Sequence, residues 1–179
     1  MTLPIALVGL PGSGKSTIGK SLALQLNVPF LDLDTILEDS FGRRITEFFA
    51  QEGEDEFRKQ EALALQKVIE GNIGSYILAT GGGTPCFGNN LKLLKQYTLT
   101  VYLKASWSEL ANRLHHDSQR PLLQELNKGS LTAALKHKFA WRLPFYEQAN
   151  VIVDSITELF SDLIATELVA DSNDIIPKQ

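Results

Sequence analysis

The sequence predicts an α/β domain, a five-stranded parallel sheet with helices on both faces, and three observations carry that expectation. Five short apolar runs alternate along the chain with segments of helical periodicity. The first run, Ile5 to Val8, opens directly onto a glycine-rich loop and then a helix. No Pro-, Gly- or Ser-rich linker divides the 179 residues, a length that fits a single core.

Ile5 to Val8 is apolar at every position, as suits a strand buried on both faces. In the helix that follows, Ile18, Leu22 and Leu26 recur at four-residue spacing, and Asn27 with Pro29 supplies the stop. Val28 to Leu31, Ser75 to Ala79 and Leu99 to Leu103 read as further strands, each leading into polar or glycine-rich residues and another helical pattern. Val151 to Val153 is the fifth. Strands joined through helices must pair in parallel by right-handed crossovers. Residues 114–130 interrupt the rhythm: with His115, His116, Asp117, Pro121 and Gly129 they are too polar for core and read as a mobile lid. The domain is expected to span residues 1–170, with 171–179 a frayed polar tail.

Composition narrows the function. The chain is 44% hydrophobic and 21% charged, within the globular range, and its net charge of −4 lacks the basic excess of nucleic-acid binders. Cys86 is the only cysteine, so no intramolecular disulfide forms. No basic leader region precedes Ile5, and no segment has the apolar length of a membrane span. The expectation is a cytoplasmic monomer that acts on a small molecule, without nucleic-acid or membrane partners.

Gly9, Gly14, Lys15 and Ser16 complete the pattern GxxxxGKS between the first strand and the first helix. Such a loop turns backbone N–H groups, here those around Gly12, Ser13 and Gly14, toward phosphate oxygens, and the helix start adds its positive end. Lys15 is placed to reach the β- and γ-phosphates, Ser16 to offer its hydroxyl to Mg²⁺, and Thr17 to contact the α-phosphate. The only Asn-Lys pair, Asn127-Lys128-Gly129-Ser130, lacks the Asp of a guanine-recognition motif. A kinase, an ATPase motor or a nucleotide sensor remains.

Several residues suit an acceptor. Asp32 and Asp34 stand two apart at the end of the second predicted strand, at the sheet edge where open α/β folds bind ligands. One could serve Mg²⁺ and the other an acceptor hydroxyl, or one could simply cap the next helix. Glu54, Phe57, Arg58 and Glu61 fall on one helix face. That face is either a solvated Glu–Arg ladder or a carboxylate clamp at Arg58 with Glu61 holding its rotamer. Gly81, Gly82 and Gly83 follow the third strand, where backbone can approach a ligand closely. Arg113 and Arg120 flank the lid, and Arg142 and Tyr146 are spaced to share a helix face near Pro144.

Assembled, these residues resemble the shikimate kinase family from about residue 4 to residue 155. The resemblance runs through the phosphate loop, Phe30-Leu31-Asp32-Leu33-Asp34, Gly42-Arg43 with Ile45 and Phe49, and Gly53-Glu54 with Phe57-Arg58 and Glu61. It continues through Gly81-Gly82-Gly83, Arg113, Arg120-Pro121-Leu122-Leu123, and Arg142 with Pro144 and Tyr146. It implies a nucleoside-monophosphate-kinase-like phosphate-loop fold with strand order 2-3-1-4-5, a substrate-binding segment near residues 33–61, and ATP with Mg²⁺. Asp34, Arg58, Gly82 and Arg142 would hold shikimate, the two arginines on its carboxylate, with Phe49 and Phe57 walling its ring. Arg120 would reach the phosphates and Arg113 would lie against adenine. Asp34 would orient or deprotonate the attacking hydroxyl, and Asp32 would support the metal. Gluconate kinase shares the fold, but the Phe57-Arg58 helix, the triple glycine and the Arg-Pro-Leu-Leu lid disfavour it.

Overall fold

The computed structural model describes residues 3–71, 74–115 and 131–153. In chain order these form β1 (Ile5–Val8), α1 (Lys15–Leu26), β2 (Phe30–Asp32), α2 (Leu33–Phe41), α3 (Ile45–Gly71), β3 (Ile77–Ala79), α4 (Asn90–Tyr97) and β4 (Leu99–Leu103). Then come α5 (Trp107–His115), α6 (Leu131–Phe139), α7 (Leu143–Tyr146) and β5 (Val151–Val153), with single 3₁₀ turns at Thr84–Cys86 and Ala140–Arg142. The five strands pair in parallel in the order β2-β3-β1-β4-β5, as the resemblance implies.

β1 is the central strand, with Ile5 opposite Ile77 on one side and Leu99 on the other. Side chains alternate across a strand, so Ile5 and Leu7 enter one core with Leu22, Ala23, Ile77, Leu99, Val101 and Leu103. Ala6 and Val8 enter the other, with Leu33, Leu37, Leu65, Leu78, Leu94 and Tyr146 among its members. Both faces of the strand are therefore sealed, which is why its sequence shows no polar alternation.

β2 and β3 begin two residues later than the apolar runs suggest. Asn27 takes a left-handed φ of 51° and caps α1, and the Val28 N–H turns back to the Ala23 carbonyl at 3.0 Å, so it serves the helix end and not the sheet. At the other end of β2, the expectation that Asp32 and Asp34 both close the strand is corrected. Asp32 is the last strand residue and its carboxylate accepts the Asp34 N–H at 3.1 Å, which starts α2 and places Asp34 in its first turn.

The long helix α3 is broken at Gly53, where φ is 81° and ψ is 173°. A β-carbon there would meet nothing within 4 Å, so the dihedral alone demands glycine. The break lets Phe48 and Phe49, before it, fold onto Phe57, after it, at ring-centroid distances of 6.3 and 4.4 Å.

Candidate active site

The phosphate loop leaves the carboxyl end of β1 and enters α1 at Gly14. α1 starts without a side-chain cap and without an acidic residue in its first turn, so its N–H groups remain available to an anion. Lys15 is only 8% exposed and lies folded across the loop, donating to the carbonyls of Gly9 and Leu10 at 3.0 Å each. The Ser13 hydroxyl is buried with no hydrogen-bond partner among the described residues. Gly12 sits directly beneath Leu114 of α5, whose Cγ would lie 2.9 Å from any β-carbon added there. Arg113, one residue earlier, donates to the Gly12 carbonyl at 3.2 Å. Leu114 and His115, counted in the lid by the sequence, are thus the last turn of α5.

Beside the helix start, the Ser16 hydroxyl donates to Asp32 Oδ2 at 2.6 Å while Oδ1 of the same carboxylate caps α2. Capping and metal support, set against each other by the sequence, are compatible in one side chain. A hydroxyl and a carboxylate at the phosphate end of the loop form the hard oxygen donor set that suits Mg²⁺, which takes few protein ligands and completes its shell with phosphate and water.

The side expected to take an acceptor is built on the three glycines after β3, and each admits a different neighbour. A β-carbon on Gly81 would stand 2.8 Å from Asp34 Oδ1, one on Gly82 2.8 Å from Pro11 Cδ of the phosphate loop, and one on Gly83 2.7 Å from the Arg58 guanidinium. The run therefore brings Asp34, the nucleotide loop and Arg58 together, which explains why a plain turn would not suffice.

Arg58 is held from several directions. Glu61 meets it at 2.8 Å and Glu54 at 2.9 Å, and its guanidinium lies 4.0 Å from the centroid of the Phe87 ring. Glu61 is 1% exposed, and its other oxygen accepts the Thr84 hydroxyl at 2.7 Å. A carboxylate so buried and doubly bonded is a fixed support for the Arg58 rotamer, so this end of the helix face is not solvated. Phe57 is 3% exposed among Phe41, Phe48 and Phe49, which leaves the half-buried Phe49 as the ring with surface to offer.

Arg142 closes the 3₁₀ turn before α7, its guanidinium 4.7 Å from the Phe139 ring and 5.2 Å from that of Trp141. Trp141 meets Phe87 edge-on at 5.8 Å, so aromatic rings link the surroundings of the two arginines. Arg142 and Tyr146 meet across the change from 3₁₀ to α geometry and not along one helix, as the spacing had suggested. Burial pushes the Cys86 thiol up to about 11 and lifts the Tyr146 hydroxyl well above its ordinary range, so both stay neutral at physiological pH.

A phosphate loop joined through a glycine triplet to Asp34 and Arg58 has known counterparts. The family model described as "Shikimate kinase" matches residues 11–172. The chain belongs to the shikimate kinase family. A shikimate kinase of Paracidovorax citrulli is 42% identical over 153 residues, which is 86% of this chain and 82% of that protein. The crystal structure of shikimate kinase from Bacteroides thetaiotaomicron superposes with a TM-score of 0.83 at 34% identity, covering 94% of this chain and 97% of that one. Shikimate kinase from Acinetobacter baumannii, solved in complex with shikimate, also gives 0.83 at 32% identity over 97% and 96% of the two chains.

Against that family, the residues singled out by sequence divide clearly. The described structure brings together Gly12 to Thr17, Asp32, Asp34, Phe49, Phe57, Arg58, Gly81 to Gly83, Arg113 and Arg142 around one edge of the sheet. Arg120 and residues 116–130 of the lid lie outside the described residues, as do 154–179 with the tail. Thr84, Phe87 and Pro11 were not assigned as site residues by sequence. Thr84 carries only the hint of following the triple glycine directly, and Phe87 and Pro11 carry none, because their value lies in what folds against them.

Proposed function

We infer that this chain transfers the γ-phosphoryl group of ATP to shikimate, forming 3-phosphoshikimate and ADP in aromatic amino-acid biosynthesis. The observation that carries the reading is the contact of Gly82 with Pro11, which sets the acceptor pocket against the nucleotide loop. Phosphoryl transfer depends on such alignment and on charge neutralisation more than on covalent help from the protein.

In this reading the N–H groups from Gly12 to Thr17 hold the phosphates, and Lys15 leaves the Gly9 and Leu10 carbonyls to meet the β- and γ-oxygens. Ser16 and Asp32 would hold Mg²⁺, which neutralises phosphate charge when bound. Arg58 and Arg142 take the shikimate carboxylate, with Gly81, Gly82 and Gly83 allowing its approach and Phe49 backing its ring, against which Phe57 packs. Asp34 orients the attacking hydroxyl and accepts its proton. Arg113 serves the adenine side. Arg120 is assigned to the phosphates on the Arg120-Pro121-Leu122-Leu123 pattern, within a lid that follows α5 at 116–130 in a single domain spanning 1–170. A net charge of −4 and a single cysteine support a cytoplasmic monomer acting on a small molecule.

A coupled assay of ADP release with shikimate, gluconate and a nucleoside monophosphate tests the substrate assignment. Release is expected with shikimate at a rate far above the other two. Equal or greater release with gluconate would reject it.

A further inference from the structure

Tyr146 is fully buried, its ring packed against that of Tyr102 on β4 at a centroid distance of 5.2 Å. Its hydroxyl donates to the carbonyl of Gly82, the residue wedged on Pro11 of the phosphate loop. The Arg142 side chain and the Cys86 thiol lie close enough to the same phenol to act on it electrostatically. One hydroxyl therefore bonds the glycine that joins the two half-sites and stands beside an arginine of the proposed acceptor site.

We propose that the Tyr146 hydroxyl is a positioning group for the acceptor, holding the Gly82 backbone and the Arg142 guanidinium in a single arrangement that receives the shikimate carboxylate. The inference rests on the phosphotransferase reading above. Packing alone does not require the hydroxyl, since phenylalanine would fill the space against Tyr102 equally well. Arg142 does need a directional partner. Its Nε is buried without one among the described residues, and the faces of Phe139 and Trp141 attract the cation without fixing the rotation of its fork. Because burial keeps the phenol from ionising, Tyr146 remains a donor to Gly82 across the working pH range.

Tyr146→Phe removes this group and leaves the ring. The expected result is a rise of about tenfold in the KM for shikimate, the size of one hydrogen bond, with the KM for ATP unchanged within about twofold. Cys86→Ala, which disturbs the same packing but keeps the hydroxyl, is expected to leave the shikimate KM alone. In the Arg142→Ala background, loss of the hydroxyl should add much less than it does alone, because the arginine through which it acts is gone. An unchanged shikimate KM, an equal rise in both KM values, loss of cooperative thermal unfolding, or full additivity with Arg142→Ala would each overturn the assignment. If the unaltered protein showed no shikimate-dependent ADP release, the proposed function would fall as well. Turnover by the unaltered protein with an indifferent Tyr146→Phe variant would remove only this inference.

Discussion

Lys15 and Asp34 occupy positions where one atom's chemistry is separable from the fold. Lys15 donates to the Gly9 and Leu10 carbonyls of its own loop, so Lys15→Ala is expected to remain folded. Its phosphoryl transfer should fall by about a hundred- to a thousandfold, the scale of losing one preorganised charge in a water-poor site. Near-normal steady-state turnover would remove the phosphate-loop reading. Asp34→Asn keeps the size and one acceptor oxygen but cannot take a proton. With the carboxylate beside Gly81, the proposed role requires kcat to fall by roughly a hundred- to ten-thousandfold while shikimate binding weakens far less. A defect confined to KM would make Asp34 a positioning residue. Asp32→Asn has a different signature, because the same carboxylate holds Ser16 and caps α2. It should lower the apparent affinity for magnesium while leaving stability nearly unchanged, because Asn caps a helix about as well as Asp, measured by magnesium titration of activity and by denaturant unfolding.

At the scale of elements, the break in α3 is the feature on which the proposed acceptor site turns. Gly53 holds φ 81° and ψ 173°, a region that residues with a β-carbon enter at a cost of about 1–3 kcal/mol. Gly53→Ala would therefore destabilise the protein by that amount or straighten the helix. Straightening would separate Phe49 from Phe57 and shift Arg58, which begins one turn beyond the break. The expected kinetic result is a higher KM for shikimate with the KM for ATP little changed, because the phosphate loop lies on a separate element. A variant with unchanged stability and kinetics would show that the break does not set the pocket.

For the molecule as a whole, the informative titration lies on the alkaline side. Burial raises the Cys86 thiol from an ordinary 9.0 to about 11, and Tyr146 is raised in the same direction. A raised pKa for an acid that is neutral when protonated means the unfolded chain loses its proton first as pH increases. Stability is then fully present below about pH 9 and declines between 9 and about 11. Cys86→Ala is expected to flatten that decline, measured as denaturation midpoint against pH. An identical slope in the variant would show that the thiol does not contribute.

What the chain declared without folding was whatever depends on near neighbours in sequence. The phosphate loop was legible because its glycines, lysine and serine sit within eight residues, and β1 was legible because burial on both faces leaves an unbroken apolar run. The stop at Asn27 was legible too, because a left-handed cap is a local geometry. The start of β2 was not, since whether the Val28 N–H serves the helix end or the sheet is settled by geometry that composition does not encode. Only the tertiary structure decided what each glycine of the triplet admits, that Glu61 is buried between Arg58 and Thr84, and that Tyr146 reaches Gly82 across 64 residues. The physical reason is that close approach and burial are properties of pairs. A residue's own identity states which bonds it can make, and the packing of distant segments states which of them it makes.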